Sequence, residues 1–480
     1  MKKILTLLLA LWMLTGCVAT AAENQLVVGS TTAMSGAFFT DLFGSNTADM
    51  DVRALLNGYN LMSWDHETGT YQINDSVVAG MAVSRDAQNN RVYTFDLYGD
   101  LKFSDGSAIT AKDYAFSILL TASPELAKLG GQSAAVGAIL GMDAYQSGKS
   151  SVLRGVRLLS DTQMSITISK AYEPYFYEMA LFDYSPYPIS VLAPGCKVVD
   201  TEKGVGIVNA SGTGDSIFTA ALLQKTILDA ATGYMSHPSV VSGPYTLTSY
   251  DAQSGTASFA INPYYKGNED GEKPTIETIV YRTVANDEAI DLLLSGKVDL
   301  LNKMVAADTI SKGIQSTADQ PFSVANYPRS GLSMISFSCE RQTVSSKAVR
   351  QAIASCFDRD ALVKAYTGNF GLKANGYFGI GQWMYQLAAG TIQPPVVDLP
   401  ANATAKEIAA YEKTVAQWDA LSLDKLKDYP IDLDQAAKLL DQDEWRLGKD
   451  GIRAKKIDGK TVALDLTLIY PEGNAVGDAL

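Results

Sequence analysis

Tyr93, Phe95 and Leu97 alternate with Thr94 and Asp96, the two-residue period of a half-buried strand. Ser104-Asp105-Gly106 supplies turn chemistry. Thr110-x-x-Asp113 is a capping box opening a helix that carries Tyr114 and Ile118 on one side. The pattern therefore predicts strand, turn and capped helix in succession. The same period returns in "SGPYTLTSYDAQSGTASFAINPYYKG". There Tyr245 and Leu247 alternate, Ser254-Gly255 reverses the chain, and Ala257, Phe259 and Ile261 form the returning arm of a hairpin. Nearer the N-terminus, residues 26–29 read as a strand that runs into the loop "AMSGAFF".

Residues 276–282 predict another strand, Asn286 caps a helix through Leu294, Gly296 stops it, and 298–301 begin a strand. Together they make a βαβ unit. A helical stretch is expected near 123–140, and "SSKAVRQAIASCFDRDALVKAYTGNFG" reads as two helices in series. A polar, helical insertion over 387–429 contains the Pro-rich connector "QPPVVDLP". "IDLDQAAKLLDQDEW" is a short amphipathic helix and "VALDLTLIYPEG" a strand. Interleaved strands and helices indicate an α/β or α+β protein of two or three lobes.

Composition changes this picture little. The 480 residues exceed what one core organises, and 47% hydrophobic with 19% charged residues describe a globular chain. A formal charge of −13 argues against nucleic acid as a partner, because phosphate binding needs a basic face. The first residues say more. Lys2 and Lys3 precede an apolar stretch from Ile4 to Leu14, too short to span a bilayer comfortably and suited to a secretory signal. Leu14-Thr15-Gly16-Cys17 then resembles a bacterial lipobox whose cysteine is lipidated; the alternative is a simple signal peptide with an incidental cysteine.

Candidate catalytic chemistry is thin. Two histidines, His66 and His237, leave few candidates for a triad. "GQSAA" at Gly131 misses the last glycine of a nucleophile elbow, and "SLDK" at Ser422 is a chance-level Ser-x-x-Lys. Gly148-Lys149-Ser150 lacks the glycine a phosphate loop requires, since Asp143 stands there. The acid pairs Asp49/Asp51 and Asp441/Asp443 lack a calcium-loop pattern and read as solvated faces. No metal-ligand spacing is present, and no cofactor is expected. Besides Cys17, the cysteines are Cys196, Cys339 and Cys356, an odd set. Cys339 ends an expected strand and Cys356 shares a helix face with Val349, Ala352, Ile353 and Phe357. A bridge between them and two buried thiols both remain open.

Several of these segments, in this order, resemble the extracellular solute-binding proteins of family 5, the group that includes dipeptide, oligopeptide and nickel receptors. "YTFDLYGDLKFSDGSAITAKDYAFS" is similar to the family signature; "SGPYTL", "NPYYKG", "DLLLSGKVDL" and "VRQAIASCFDRDALV" match later landmarks. "IDLDQAAKLL" resembles an Asp-Pro-x-x-Ala segment with leucine in the proline position. Ser336-Phe337-Ser338-Cys339 departs from the family, which usually places an Asn before "VRQA". Members also continue well past the point matching Leu480, and the acidic partner of a peptide's amine comes from that later part.

The resemblance implies an α/β fold of the type II periplasmic-binding-protein kind, two lobes with a hinge plus a small extra α+β domain. The expected division is a signal peptide over 1–16 and a lipid-anchored tether over 17–24. A discontinuous first lobe then occupies 25–59 and 173–282, the extra domain 60–172, and a second lobe 283–480, incomplete at its C-terminus. It also implies a monomeric receptor, held to the membrane by lipid on Cys17, that captures peptides outside the cell and delivers them to an ABC permease. Ser35, Phe38 and Phe39 are expected to face the ligand from one side, and Tyr377 and Trp383 to form walls, while Ser242-Gly243-Pro244-Tyr245 reads as a hinge-side turn. Other solutes, such as a nickel chelate or an oligosaccharide, and a peptide-sensing role are the alternatives. A secreted hydrolase would need a nucleophile–base pair that the motif search does not find.

Overall fold

The structure is a computed structural model describing residues 24–44, 46–65, 70–132, 137–173, 178–317, 321–327, 331–368, 370–392 and 403–470. The expected signal peptide and lipobox, including Cys17, lie outside the described residues. The chain forms two compact units, Met1–Lys303 and Met304–Leu480.

In the first unit, strand β1 (Gln25–Ser30) is followed by helix α1 (Thr47–Leu56). Ala48, Val52 and Leu56 recur every fourth residue on α1, and all three are fully buried. Burying Val52 and Leu56 alone contributes about 4 kcal/mol. They pack on a sheet completed much later in the chain by β2 (Tyr245–Asp251), β3 (Thr256–Ile261), β4 (Thr278–Thr283) and β5 (Leu300–Leu301). The order is β2-β3-β4-β1-β5, with β1 parallel to both β4 and β5 and the β2–β3 hairpin antiparallel. Gly255 turns that hairpin at φ +60, a conformation that favours glycine. β1 and β5 are in register at Val28↔Leu300, so the expected βαβ unit straddles β1. Its helix is Ala289–Leu294 with Glu288 at the N-cap; Asn286 stands two residues before that cap.

The opening pattern of the sequence forms as read. Strand Arg91–Leu97 buries Tyr93, Phe95 and Leu97, and α2 (Ala111–Thr121) begins at a Thr110/Asp113 capping box. That strand lies in a four-stranded antiparallel sheet with Val78–Arg85, Gln163–Ile168 and Val156–Leu158. One core runs from Phe39 through this sheet and α2 to Phe182, Val205, Leu223 and Tyr234. A small sheet joins Val152–Leu153 to Gly204–Asn209 and Cys196–Thr201. Residues 60–172 and 173–234 thus share one core. Residues 283–303 also pack with the first unit, because β5 takes its hydrogen bonds from β1.

The second unit centres on helices Lys347–Cys356 and Leu433–Gln442, packed on each other, with Val349, Ala352, Ala436 and Trp445 buried. Ser346 and Asp432 cap the two helices. A meander of Arg446–Leu447, Arg453–Ile457 and Lys460–Ala463 follows. The insertion expected over 387–429 contains the helix Ala405–Asp419. Some expectations change. Only Pro124–Ala127 is helical among the described residues of the stretch expected near 123–140. Residues 336–339 and 464–470 belong to no strand. Cys339 and Cys356 are both exposed free thiols, and Ser355, not Cys356, turns to the core.

Candidate functional site at the carboxyl ends of the parallel strands

β1, β4 and β5 run the same way, so Ser30, Thr283 and Leu301 emerge at one edge of the sheet. In open α/β sheets ligands are held beyond the carboxyl ends of such strands. The chain that follows β1 there, described through Gly44, is organised by α1.

Asp49 is fully buried on the first turn of α1. Its Oδ1 accepts hydrogen bonds from Ser35 N at 2.9 Å and Gly36 N at 3.2 Å, and its Oδ2 from Ser35 Oγ at 2.6 Å and Asn46 N at 3.2 Å. Asn46 closes the capping box by accepting from Asp49 N at 3.0 Å. Gly36 sits at φ +86 beneath Tyr250 and Ser236, where an added Cβ would come within 3.4 Å of each. Arg53 Nη1 donates to Ala37 O at 2.7 Å, and Phe38 N to Met235 O at 3.0 Å. The backbone from Ser35 to Phe38 is therefore pinned residue by residue.

Asp51 holds a second network one residue pair along the helix. Its carboxylate accepts from Tyr281 Oη at 2.8 Å and Asn302 Nδ2 at 2.7 Å, and forms an ion pair with Lys303. Burial pushes the Tyr281 hydroxyl well above its ordinary pKa; the Ser30 hydroxyl opposes that, and the Asp51 charge adds to it. Tyr281 stays a neutral donor.

These carboxylates are saturated with donors. Ser35 Oγ donates directly to Asp49, with no imidazole between them, so the pair lacks the base of a nucleophilic site. Farther along the same loop, Thr40 and Asp41 join Ser117, Thr121 and Tyr187 in lining a cavity of about 250 Å³. Burial pushes the Tyr187 hydroxyl up to about 12, with Asp41 adding to the shift. Among the described residues no group of three or more His, Cys, Asp and Glu is placed to hold a metal.

The five expected ligand contacts divide between the units. Ser35 is exposed on the pinned loop. Phe38 and Phe39 are corrected: at 0% and 2% exposure their rings are core. Phe38 packs edge-on to Tyr250, and Phe39 lies between Tyr187 and Tyr234. In the second unit Tyr377 is 74% exposed, its ring edge-on to Phe378. Trp383, half-buried, begins the helix Trp383–Ala388. The sequence reading missed Asp49 and Asp51. They are not a solvated face, and Asn46-x-x-Asp49 carries the same capping signal that was read at Thr110 and Asp113.

The profile described as "Bacterial extracellular solute-binding proteins, family 5 Middle" matches residues 76–480. The chain belongs to family 5 of the bacterial extracellular solute-binding proteins. That family comprises solute receptors, not enzymes. The chain is 26% identical over 415 residues to the oligopeptide-binding protein OppA of Lactococcus lactis, covering 84% of this chain and 56% of that protein. It spans little more than half the length of the curated relatives it matches first. Lactococcal OppA, solved with an endogenous peptide in the closed conformation, superposes with a TM-score of 0.58 at 19% identity, covering 91% of this chain and 70% of that one. NikZ of Campylobacter jejuni, solved with Ni(L-His), gives 0.55 at 15% identity, covering 92% and 66%. The family 5 chain thus has the type II periplasmic-binding-protein fold. Among its described residues no helix is long and apolar enough to cross a membrane.

Proposed function

We propose that this family 5 protein is the solute-capturing receptor of an ABC importer, that it takes di- or oligopeptides outside the cell, and that it hands them to a permease. The match over residues 76–480 carries the proposal, together with relatives whose names specify oligopeptides. The saturated carboxylates of the strand-end site agree with a role in holding rather than cutting a ligand. Ser35, on a preorganised loop, and Tyr377 and Trp383, in the second unit, are the proposed ligand contacts. Cys17 is the proposed lipid attachment that keeps a monomeric receptor at the membrane. The fold also serves the nickel–histidine binder NikZ, so fold does not choose the ligand. Mass spectrometry of ligand released from the purified full chain tests the reading. A mixture of short peptides, recovered uncut after incubation with the protein, is expected. Recovery of only a sugar or a metal chelate, or hydrolysis of the peptides, overturns it.

A further inference from the structure

We propose that Asp51 latches the end of the first unit, holding Lys303 in a left-handed backbone conformation and shielding the peptide bond that follows it. Lys303 is the last residue of that unit. Its φ is +56, a region that lysine enters only against the steric demand of its Cβ. The chain is held up to that residue. Asn302 N donates to Gly29 O at 3.0 Å, extending the β1–β5 pairing, and Asn302 Nδ2 donates to Asp51 at 2.7 Å. The Lys303 ammonium then closes on the same carboxylate. Beyond it, residues 304–306 have no regular structure before the helix Ala307–Thr317.

A strained non-glycine residue at a unit boundary persists only where its surroundings hold it there. Here the holding group is one carboxylate, shared by a hydroxyl, an amide and an ammonium. The side chains are partly open to water, 19% exposed for Asp51 and 32% for Lys303, so the contact can break and re-form without unfolding the sheet. Released, Lys303 relaxes to the ordinary right-handed or extended regions and the bond after it becomes accessible. The latch does not depend on which solute the protein binds.

Trypsin reads the latch directly, because the protease must take Lys303 into its own pocket in an extended conformation. In the full chain, Asp51→Asn should speed cleavage after Lys303 about tenfold, the scale of one charge-assisted contact at a half-open site. Asn302→Ala, which keeps the ion pair, should raise it less. Lys203, exposed in the turn between Cys196–Thr201 and Gly204–Asn209, is the control within the same unit. Fragments beginning at Met304, with cleavage after Lys203 unchanged, support the latch. Equal rates at Lys303 in Asp51→Asn and the parent, or a matching rise at Lys203, overturn it.

Discussion

Replacing Asp49 by alanine should loosen the loop at the end of β1 while leaving the sheet beneath it in place. The magnitude follows from what the carboxylate holds. Ser35 is exposed, so water can take over its N–H and hydroxyl at little cost. Gly36 is buried, and stranding its amide costs about 1–3 kcal/mol. Losing the return bond to Asn46 N removes half of a capping box, about 0.5–1 kcal/mol. The sum is about 3 kcal/mol, or about a hundredfold in the opening equilibrium of the loop. Asp49→Asn keeps one carbonyl oxygen for Ser35 N and Gly36 N and should cost about 1 kcal/mol. Amide hydrogen exchange is the assay. Ser35 and Gly36 amides should exchange about a hundredfold faster in Asp49→Ala and several-fold faster in Asp49→Asn, with β1 and β4 amides nearly unchanged. Unaltered protection of Ser35 and Gly36 in Asp49→Ala would mean that the loop is held by Arg53, Tyr250 and Met235 instead, and the account of Asp49 would be wrong.

Asp113, buried at the start of α2, has its pKa raised from 3.8 to about 6, chiefly by burial, against the two hydrogen bonds from Thr110 that lower it. A carboxyl group that binds its proton more tightly when folded makes stability fall as pH rises through the window from about 4 to about 6. The effect is about 3 kcal/mol. Asp113→Asn, which can still accept both bonds, should flatten that slope in urea unfolding midpoints measured across the window. Gly243→Ala places a Cβ 2.5 Å from Leu55 O and the Leu56 carbonyl carbon, backbone that cannot step aside. It should cost about 3 kcal/mol and lower the melting temperature by about 3–5 °C by differential scanning fluorimetry; a loss under 1 °C would show that this turn can shift. Cys17→Ala, if the lipid attachment is as proposed, should move the protein from the detergent-rich to the aqueous phase in detergent partitioning.

Much of the first unit was legible because its signals are local. The period of Tyr93, Phe95 and Leu97, the cap at Thr110 and the turn at Gly255 each act within a few residues, and each formed as the pattern predicts. What escaped was non-local. The partners of β1 lie some 250 residues away at β4 and β5, and nothing in the local period announces which strand is central. Phe38 and Phe39 show the same limit. Small and aromatic residues in a loop suit a ligand wall and a core equally well; the contacts of Tyr250, Tyr187 and Tyr234 decide for the core. Asp49 was legible by a rule already applied elsewhere, and Asp51 was not, because its role depends on Tyr281 and Lys303.

The segment "LKFSDGSAIT", followed by its capped helix, has the turn chemistry of a ligand loop, and its contacts show that it is a frame. Ser104 N donates to Val241 O at 2.8 Å, and Val241 N returns a bond to Ser104 Oγ at 3.0 Å, immediately before "SGPY". Gly106, at φ +84, lies so close to Tyr264 of "NPYYKG" that an added Cβ would stand 3.0 Å from the ring. Lys266 of the same segment pairs with Asp100 and lies 4.2 Å from the centroid of the Tyr98 ring. Asn262 in turn donates to Gly243 O at 2.9 Å, and Gly243 N donates to Leu56 O at the end of α1. Three of the landmarks that carry the family resemblance therefore touch one another, around the base of the helix that carries Asp49 and Asp51. Each needs its neighbour's small residue or amide, so altering one strands a group in another. Their joint presence in the sequence follows from packing, and it identifies the scaffold, which does not by itself choose a ligand.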